Sequence, residues 1–252
     1  MIDTHSHINM IEGLSLEEII KNAEDNGIDK IIVPSAYPSD IDDIMKLTYK
    51  YENVYGMLGV HPSEAKSWDD SLIDKIRECA KNKKIVAVGE IGLDYYWDKS
   101  FNDLQKEVFI KQIQLANELN LPIDIHDREA HKDTFDIIQE YNKGSKVIMH
   151  CFSGSTEFAR ECVKAGYYLG IGGVVTFKNA VKMKEVVKAV PLKRILLETD
   201  APYLTPVPFR GKENQPAYIK YVAEEIASLR EITQEEVAQV TTENAKTVFN
   251  IK

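Results

Sequence analysis

Short apolar, β-rich runs recur along this chain, and longer amphipathic stretches separate them. Consecutive parallel strands need a long crossover between them, so this alternation predicts an α/β fold built from βα units. Eight runs stand out: Met1 to Ile8, Ile28 to Ser35, Val54 to Val60, Ile85 to Ile91, Leu121 to Ile125, Lys146 to Met149, Tyr167 to Val175 and Arg194 to Leu197. Spread over 252 residues they leave roughly 31 per unit, enough for a strand, a helix and two loops. The expected fold is a (β/α)8 TIM barrel, a single domain over residues 1–252 made of eight βα units and nothing besides.

Helix signals fall between the runs as this fold requires. Ser15-Leu-Glu-Glu18 and Thr233-Gln-Glu-Glu236 have the S/T-x-x-E form of a capping box. Lys106 to Leu119 carries Val108, Ile110, Ile113, Leu115 and Ala116 broadly on one side, as an amphipathic helix does. The Pro-rich segment Ala201 to Pro216 follows the eighth run, where a barrel displays its chemistry. Ala165 to Phe177, the longest uncharged apolar stretch, has 13 residues and is too short to span a bilayer. The N-terminus has no basic start or apolar signal core, which predicts a cytoplasmic protein. Cys79, Cys151 and Cys162 show no CxxC spacing and are expected to be reduced.

Ionisable side chains cluster at the ends of the runs. His5 and His7 end the first, His61 follows the third, Glu90 ends the fourth, His126 follows the fifth, His150 the sixth, and Asp200 follows the eighth. The intervals from His61 to Glu90, His126 and His150 are 29, 36 and 24 residues, each one βα unit, whereas His7 to His61 and His150 to Asp200 are 54 and 50, each two. In a barrel of parallel strands these positions share the C-terminal face, where active sites are built. Residues two apart on a strand point the same way, so His5 and His7 suit one metal ion. So many convergent N and O donors suit two divalent ions, with His5, His7, Glu90 and Asp200 on one and Glu90, His126 and His150 on the other. Glu90 is the expected bridge. Donors of this kind admit Zn, Mn, Ni, Fe or Mg. With that set complete, His61 is assigned to substrate contact. His131, on a helix face with no evident partner, is read as structural.

Six blocks in order resemble the TatD family of metal-dependent deoxyribonucleases: Asp3-Thr-His-Ser-His7, Gly59-Val-His-Pro62, Gly89-Glu-Ile-Gly-Leu-Asp-Tyr95, Ile125-His-Asp-Arg128, His150-Cys-Phe-Ser-Gly154 and Glu198-Thr-Asp-Ala-Pro-Tyr-Leu204. The likeness continues to Thr242-Glu-Asn-Ala245. It implies a TIM barrel whose metal ligands are His5, His7, Glu90, His126, His150 and Asp200, the set that spacing suggests. It also implies Mg²⁺-supported hydrolysis of DNA phosphodiesters, commonly from the 3′ end of a strand. Where the family usually carries Arg-Gly-Lys-Arg-Asn-x-Pro, this chain reads Arg210-Gly-Lys-Glu-Asn-Gln-Pro216, with Glu213 in place of a common basic residue.

The expected chemistry is a two-metal-activated water attacking a phosphodiester, with Asp200 and Glu90 as catalytic groups and Asp200 taking the proton. Arg128 and Arg210 are expected on phosphate oxygens, Glu198 on a terminal hydroxyl or a water, and Asn214 beside them as a substrate contact. A small-molecule or aminoacyl-ester hydrolase of the related amidohydrolase barrels is the rival. Many of those bridge their metals with a carboxylated Lys on the fourth strand, and no Lys lies between Lys84 and Lys99 here. A non-catalytic metal-bound scaffold is the weakest reading. Lys plus Arg number 31 and Asp plus Glu 40, a formal charge of −9, which excludes a long basic groove for nucleic acid. The expected partner is a DNA strand end, with no membrane and no obligate protein partner.

Overall fold

A computed structural model describes residues 1–252. Each of the eight runs forms a strand: β1 (Ile2–Asp3), β2 (Lys30–Pro34), β3 (Val54–Met57), β4 (Ile85–Asp94), β5 (Ile123–Arg128), β6 (Val147–Met149), β7 (Tyr168–Ile171) and β8 (Ile195–Leu197). They follow chain order in one eight-stranded sheet with parallel pairing. Thr4 N–H donates to Leu197 O at 3.0 Å, so the last strand meets the first. This is the topology of a (β/α)8 barrel.

The helices are α1 (Leu16–Asp25), α2 (Asp40–Lys50), α3 (Ser71–Cys79), α4 (Asn102–Leu119), α5 (His131–Tyr141), α6 (Thr156–Lys164), α7 (Val181–Ala189), α8 (Ile219–Arg230) and α9 (Gln234–Phe249). Two of them follow β8, which corrects the expectation of eight βα units and nothing besides. The ninth helix fixes the entry to β8, because Asn244 Nδ2 donates to Leu192 O and Ile195 O at 3.0 and 2.8 Å. At α1 both halves of the capping box form, with Ser15 Oγ accepting from Glu18 N–H and Glu18 accepting from Ser15 N–H. Helix α4 starts at Asn102, four residues ahead of the amphipathic stretch that the sequence predicts.

The chain divides into two compact units, Met1–Val33 with Cys151–Lys252, and Pro34–His150. Ile2, Ile31, Leu169 and Leu196 are buried in the first, and Val88, Ile91, Ile113, Ile125 and Ile148 in the second. Strand β4 is buried along its whole length, its apolar residues broken only by two glycines and by the carboxylates Glu90 and Asp94.

Candidate metal centre

In the first unit β1 is formally short, yet its path is held well past Asp3. Asp200 N–H donates to His5 O at 2.9 Å and His7 N–H donates to Ala201 O at 2.8 Å, so the segments after β1 and β8 run on together. This brings the Nε2 atoms of His5 and His7 to 3.2 Å, with Asp200 Oδ1 at 3.9 and 3.8 Å from them. Donors about 2.0–2.2 Å from one ion stand roughly 3.0–3.6 Å apart at octahedral or tetrahedral angles. The two imidazoles already have that spacing, and the carboxylate needs to move by a few tenths of an ångström. The residues present therefore fit a divalent ion. Asp200 has φ of 54°, in the left-handed region that non-glycine residues enter infrequently and Asp more readily than most.

Asp3, to which sequence reasoning assigns no role, bolts this arrangement. It is buried, and its carboxylate accepts from Thr199 N–H at 3.0 Å and Thr199 Oγ1 at 2.6 Å, tying the end of β1 to the segment just after β8. Burial pushes its pKa up to about 7 against the pull of those hydrogen bonds, with the Glu198 charge adding to the rise. Its signal in the sequence is its place at the head of the Asp3–His7 block.

In the second unit Glu90 collects three imidazoles. Its Oε1 lies 2.8 Å from His126 Nδ1, 3.7 Å from His61 Nε2 and 3.8 Å from His150 Nε2. The approach depends on glycine: Gly92 has φ of +144°, and a Cβ there would meet His126 O at 2.0 Å. His126 is held from both sides, because its Nε2 lies 3.0 Å from Asp94 Oδ2. A metal taking one nitrogen would leave the other on a carboxylate, the arrangement that fixes tautomer and ring orientation in metal-ligating histidines. Burial opposes the imidazolium, but the hydrogen bonds to Asp94 and Glu90 prevail and raise its pKa to about 9. Asp94 is the second residue that sequence reasoning misses; it stands in the Gly89–Tyr95 block, at the end of a strand that runs three residues further than expected.

His61 accepts Ser63 N–H at its Nδ1, 3.1 Å away, and burial with the neighbouring His126 charge lowers its pKa to about 3. The ring is therefore neutral, with Nδ1 accepting from Ser63 and Nε2 turned toward Glu90, and His61, Glu90 and His126 form a second group of donors close enough to share an ion. His131, expected to lack a partner, has one: its Nδ1 lies 2.7 Å from Asp127 Oδ2, four residues back along the chain.

The expected substrate contacts divide. Arg128 is exposed, its guanidinium 3.9 Å from the Tyr96 ring centre. Arg210 donates to Thr205 O at 3.0 Å and lies 3.7 Å over Phe177. Glu198 is fully buried and accepts Cys151 N–H at 2.6 Å, in space that exists because residue 170 is glycine. Asn214 is buried too; its amide donates to Thr199 O and Tyr203 O, and its carbonyl accepts Gln215 N–H, so it holds the loop after β8. Glu213 accepts the N–H groups of Glu12 and Gly13 at 2.9 and 2.8 Å, which gives this acidic residue a loop-fastening role.

A (β/α)8 topology with clusters of imidazole and carboxylate at its strand ends defines a metal-dependent hydrolase. The model of the TatD-related DNase family matches residues 2–250, and the chain belongs to that family. It is 49% identical over 255 residues to the uncharacterized metal-dependent hydrolase YabD of Bacillus subtilis, covering 100% of this chain and 99% of that one. It is 36% identical to the hydrolase YcfH of Escherichia coli K12, covering 100% and 96%. Among solved structures it superposes on YJJV, a TatD homologue from Escherichia coli K12, with a TM-score of 0.94 at 32% identity, covering 100% and 98%.

Proposed function

We propose that this chain hydrolyses DNA phosphodiesters, working inward from the 3′ end of a single strand, with two divalent ions of which Mg²⁺ is the one in use. The observation that carries the reading is the His5–His7–Asp200 trio, with its 3.2 Å imidazole spacing, in a chain of the TatD-related DNase family. His5, His7 and Asp200 would hold one ion, and Glu90, His126 and His150 the other. Bound there, such ions supply Lewis acidity and a water of lowered pKa.

The chain's own groups do the rest. Asp200, the least buried of its trio, takes the proton of the attacking water as its oxygen bonds to phosphorus. The bond from phosphorus to the leaving sugar oxygen breaks, and that oxygen takes a proton from solvent as the alcohol leaves, while Asp200 returns its own proton to solvent. Neutral His61 donates from Nε2, either to Glu90 or to a phosphate oxygen. Arg128 and Arg210, each stacked on an aromatic ring, offer planar guanidinium forks to the phosphate oxygens.

The test is a substrate panel. Metal-stripped protein is incubated with end-labelled single- and double-stranded DNA, RNA, and small phosphate and carboxylate esters, and Mg²⁺, Mn²⁺, Zn²⁺ or Ni²⁺ is added in turn. Single-stranded DNA shortening from its 3′ end is the expected result. Turnover of small esters with every strand left intact would move the assignment to the amidohydrolase type.

A further inference from the structure

The end of β4 carries two aromatic rings that the catalytic scheme does not use. Tyr96 and Trp97 follow Asp94 almost directly and are 47% and 72% exposed, although rings of this size usually bury most of their area. They meet edge to face, with centroids 4.8 Å apart and planes at 86°. The Arg128 guanidinium covers Tyr96 at 3.9 Å and reaches Trp97 at 5.3 Å, and Trp97 still keeps most of its surface in solvent.

Beside Trp97 is a cavity of about 180 Å³, bounded by Lys66, Asp94, Asp98 and Phe101 among others. Ligand clefts for drug-sized molecules run from about 300 to 1,000 Å³, so this one suits a single flat ring system. Its walls include two aromatic side chains. Lys66 Nζ sits 4.1 Å over Phe101 and 3.3 Å from Asp98 Oδ2, placing a donor and an acceptor at the same spot. Another wall is Asp94, whose Oδ2 engages His126 at 3.0 Å. A ring in the cavity would thus lie one side chain from the Glu90–His126 cluster.

We infer that Trp97 is the stacking platform for the nucleobase next to the phosphodiester being cut, with Phe101 under Lys66 closing the cavity beside it, which makes an unpaired base the substrate. This rests on the nuclease reading and says what that site selects. Every base offers a π-face, so stacking tolerates sequence, but a base inside a duplex has its faces covered by its neighbours. In a chain of net charge −9 acidic residues outnumber basic ones 40 to 31, which weakens electrostatic attraction for a phosphate backbone, and stacking supplies affinity that salt does not screen.

Trp68 and Trp97 are the two tryptophans, so emission can be assigned. In a Trp68→Phe, Asp200→Asn protein loaded with Mg²⁺, single-stranded pentathymidylate is expected to quench Trp97 saturably, and the same backbone with abasic sugars is not. Absent quenching, or equal quenching by both, overturns the platform. Kinetically, Trp97→Ala should raise KM for single-stranded DNA about five- to hundredfold, the range for losing one stacked base, with kcat held and Trp97→Phe largely restoring the wild type. An unchanged KM overturns the inference while the nuclease reading stands. If the wild type cuts no strand, the nuclease reading fails and the quenching titration still decides the platform.

Discussion

At the residue scale, the two carboxylates around His126 leave a measurable signature. Its pKa, raised to about 9 from an unfolded value near 6.5, means the imidazolium stabilises the metal-free fold fully below about pH 6.5. That contribution is lost as pH rises through about 9. Thermal melts of metal-stripped protein should therefore show Tm falling between about pH 6.5 and 9.5, and Asp94→Asn should flatten the fall. A second prediction separates ligand from donor. Glu90→Gln should bind fewer than two ions per chain by elemental analysis, losing both if Glu90 bridges, whereas His61→Gln should retain the wild-type count. Most of the metal-centre candidates are legible in the sequence because histidine and carboxylate recur at βα intervals. Asp94 and Asp3 are not, because an Asp near a strand end is common and only three-dimensional contact shows which one backs a histidine. Glu198 and Asn214 are legible as polar residues in the right segments, but burial and backbone partners are properties that spacing does not encode.

At the element scale, alternation predicts all eight strands and misplaces several of their ends. Strand β1 stops at Asp3, so the His5/His7 pair owes its common direction to hydrogen bonds with residues 200 and 201 rather than to a regular strand. The seventh run predicts a strand to Val175, but Gly173–Thr176 is a 3₁₀ turn. Continuous apolar character marks burial, and burial alone does not separate a strand from the turn that caps it. Strand β4 makes the sharpest prediction. Gly92→Ala sets a Cβ 2.0 Å from His126 O at a φ of +144°, so it should cost about 3 kcal/mol or more in denaturant unfolding and displace His126. Unfolding at wild-type denaturant concentration would show that β4 and β5 do not constrain each other there.

At the whole-molecule scale, length and alternation define the fold class, and the family match over residues 2–250 agrees with them. The final helix escapes an eight-unit count, which has no place for it, although Asn244 shows why the chain needs it. No helix is long and apolar enough to cross a membrane. If the substrate is a nucleic acid, a net charge of −9 predicts short contact with it. If Arg128 and Arg210 make the phosphate contacts, log KM for single-stranded DNA should rise with log salt at a slope of only about 1–2. A steep slope would reveal a basic track that the composition does not provide. The central claim is that Asp200, with His5 and His7, serves a metal-dependent attack on a DNA strand end. Its most direct test is the rate at which metal-stripped protein regains cleavage of single-stranded DNA as Mg²⁺ is added, wild type against Asp200→Asn. Recovery is expected in the wild type, with a rate at least about a hundredfold lower in the variant, the scale of a lost general base; equal recovery in both would overturn the role of Asp200.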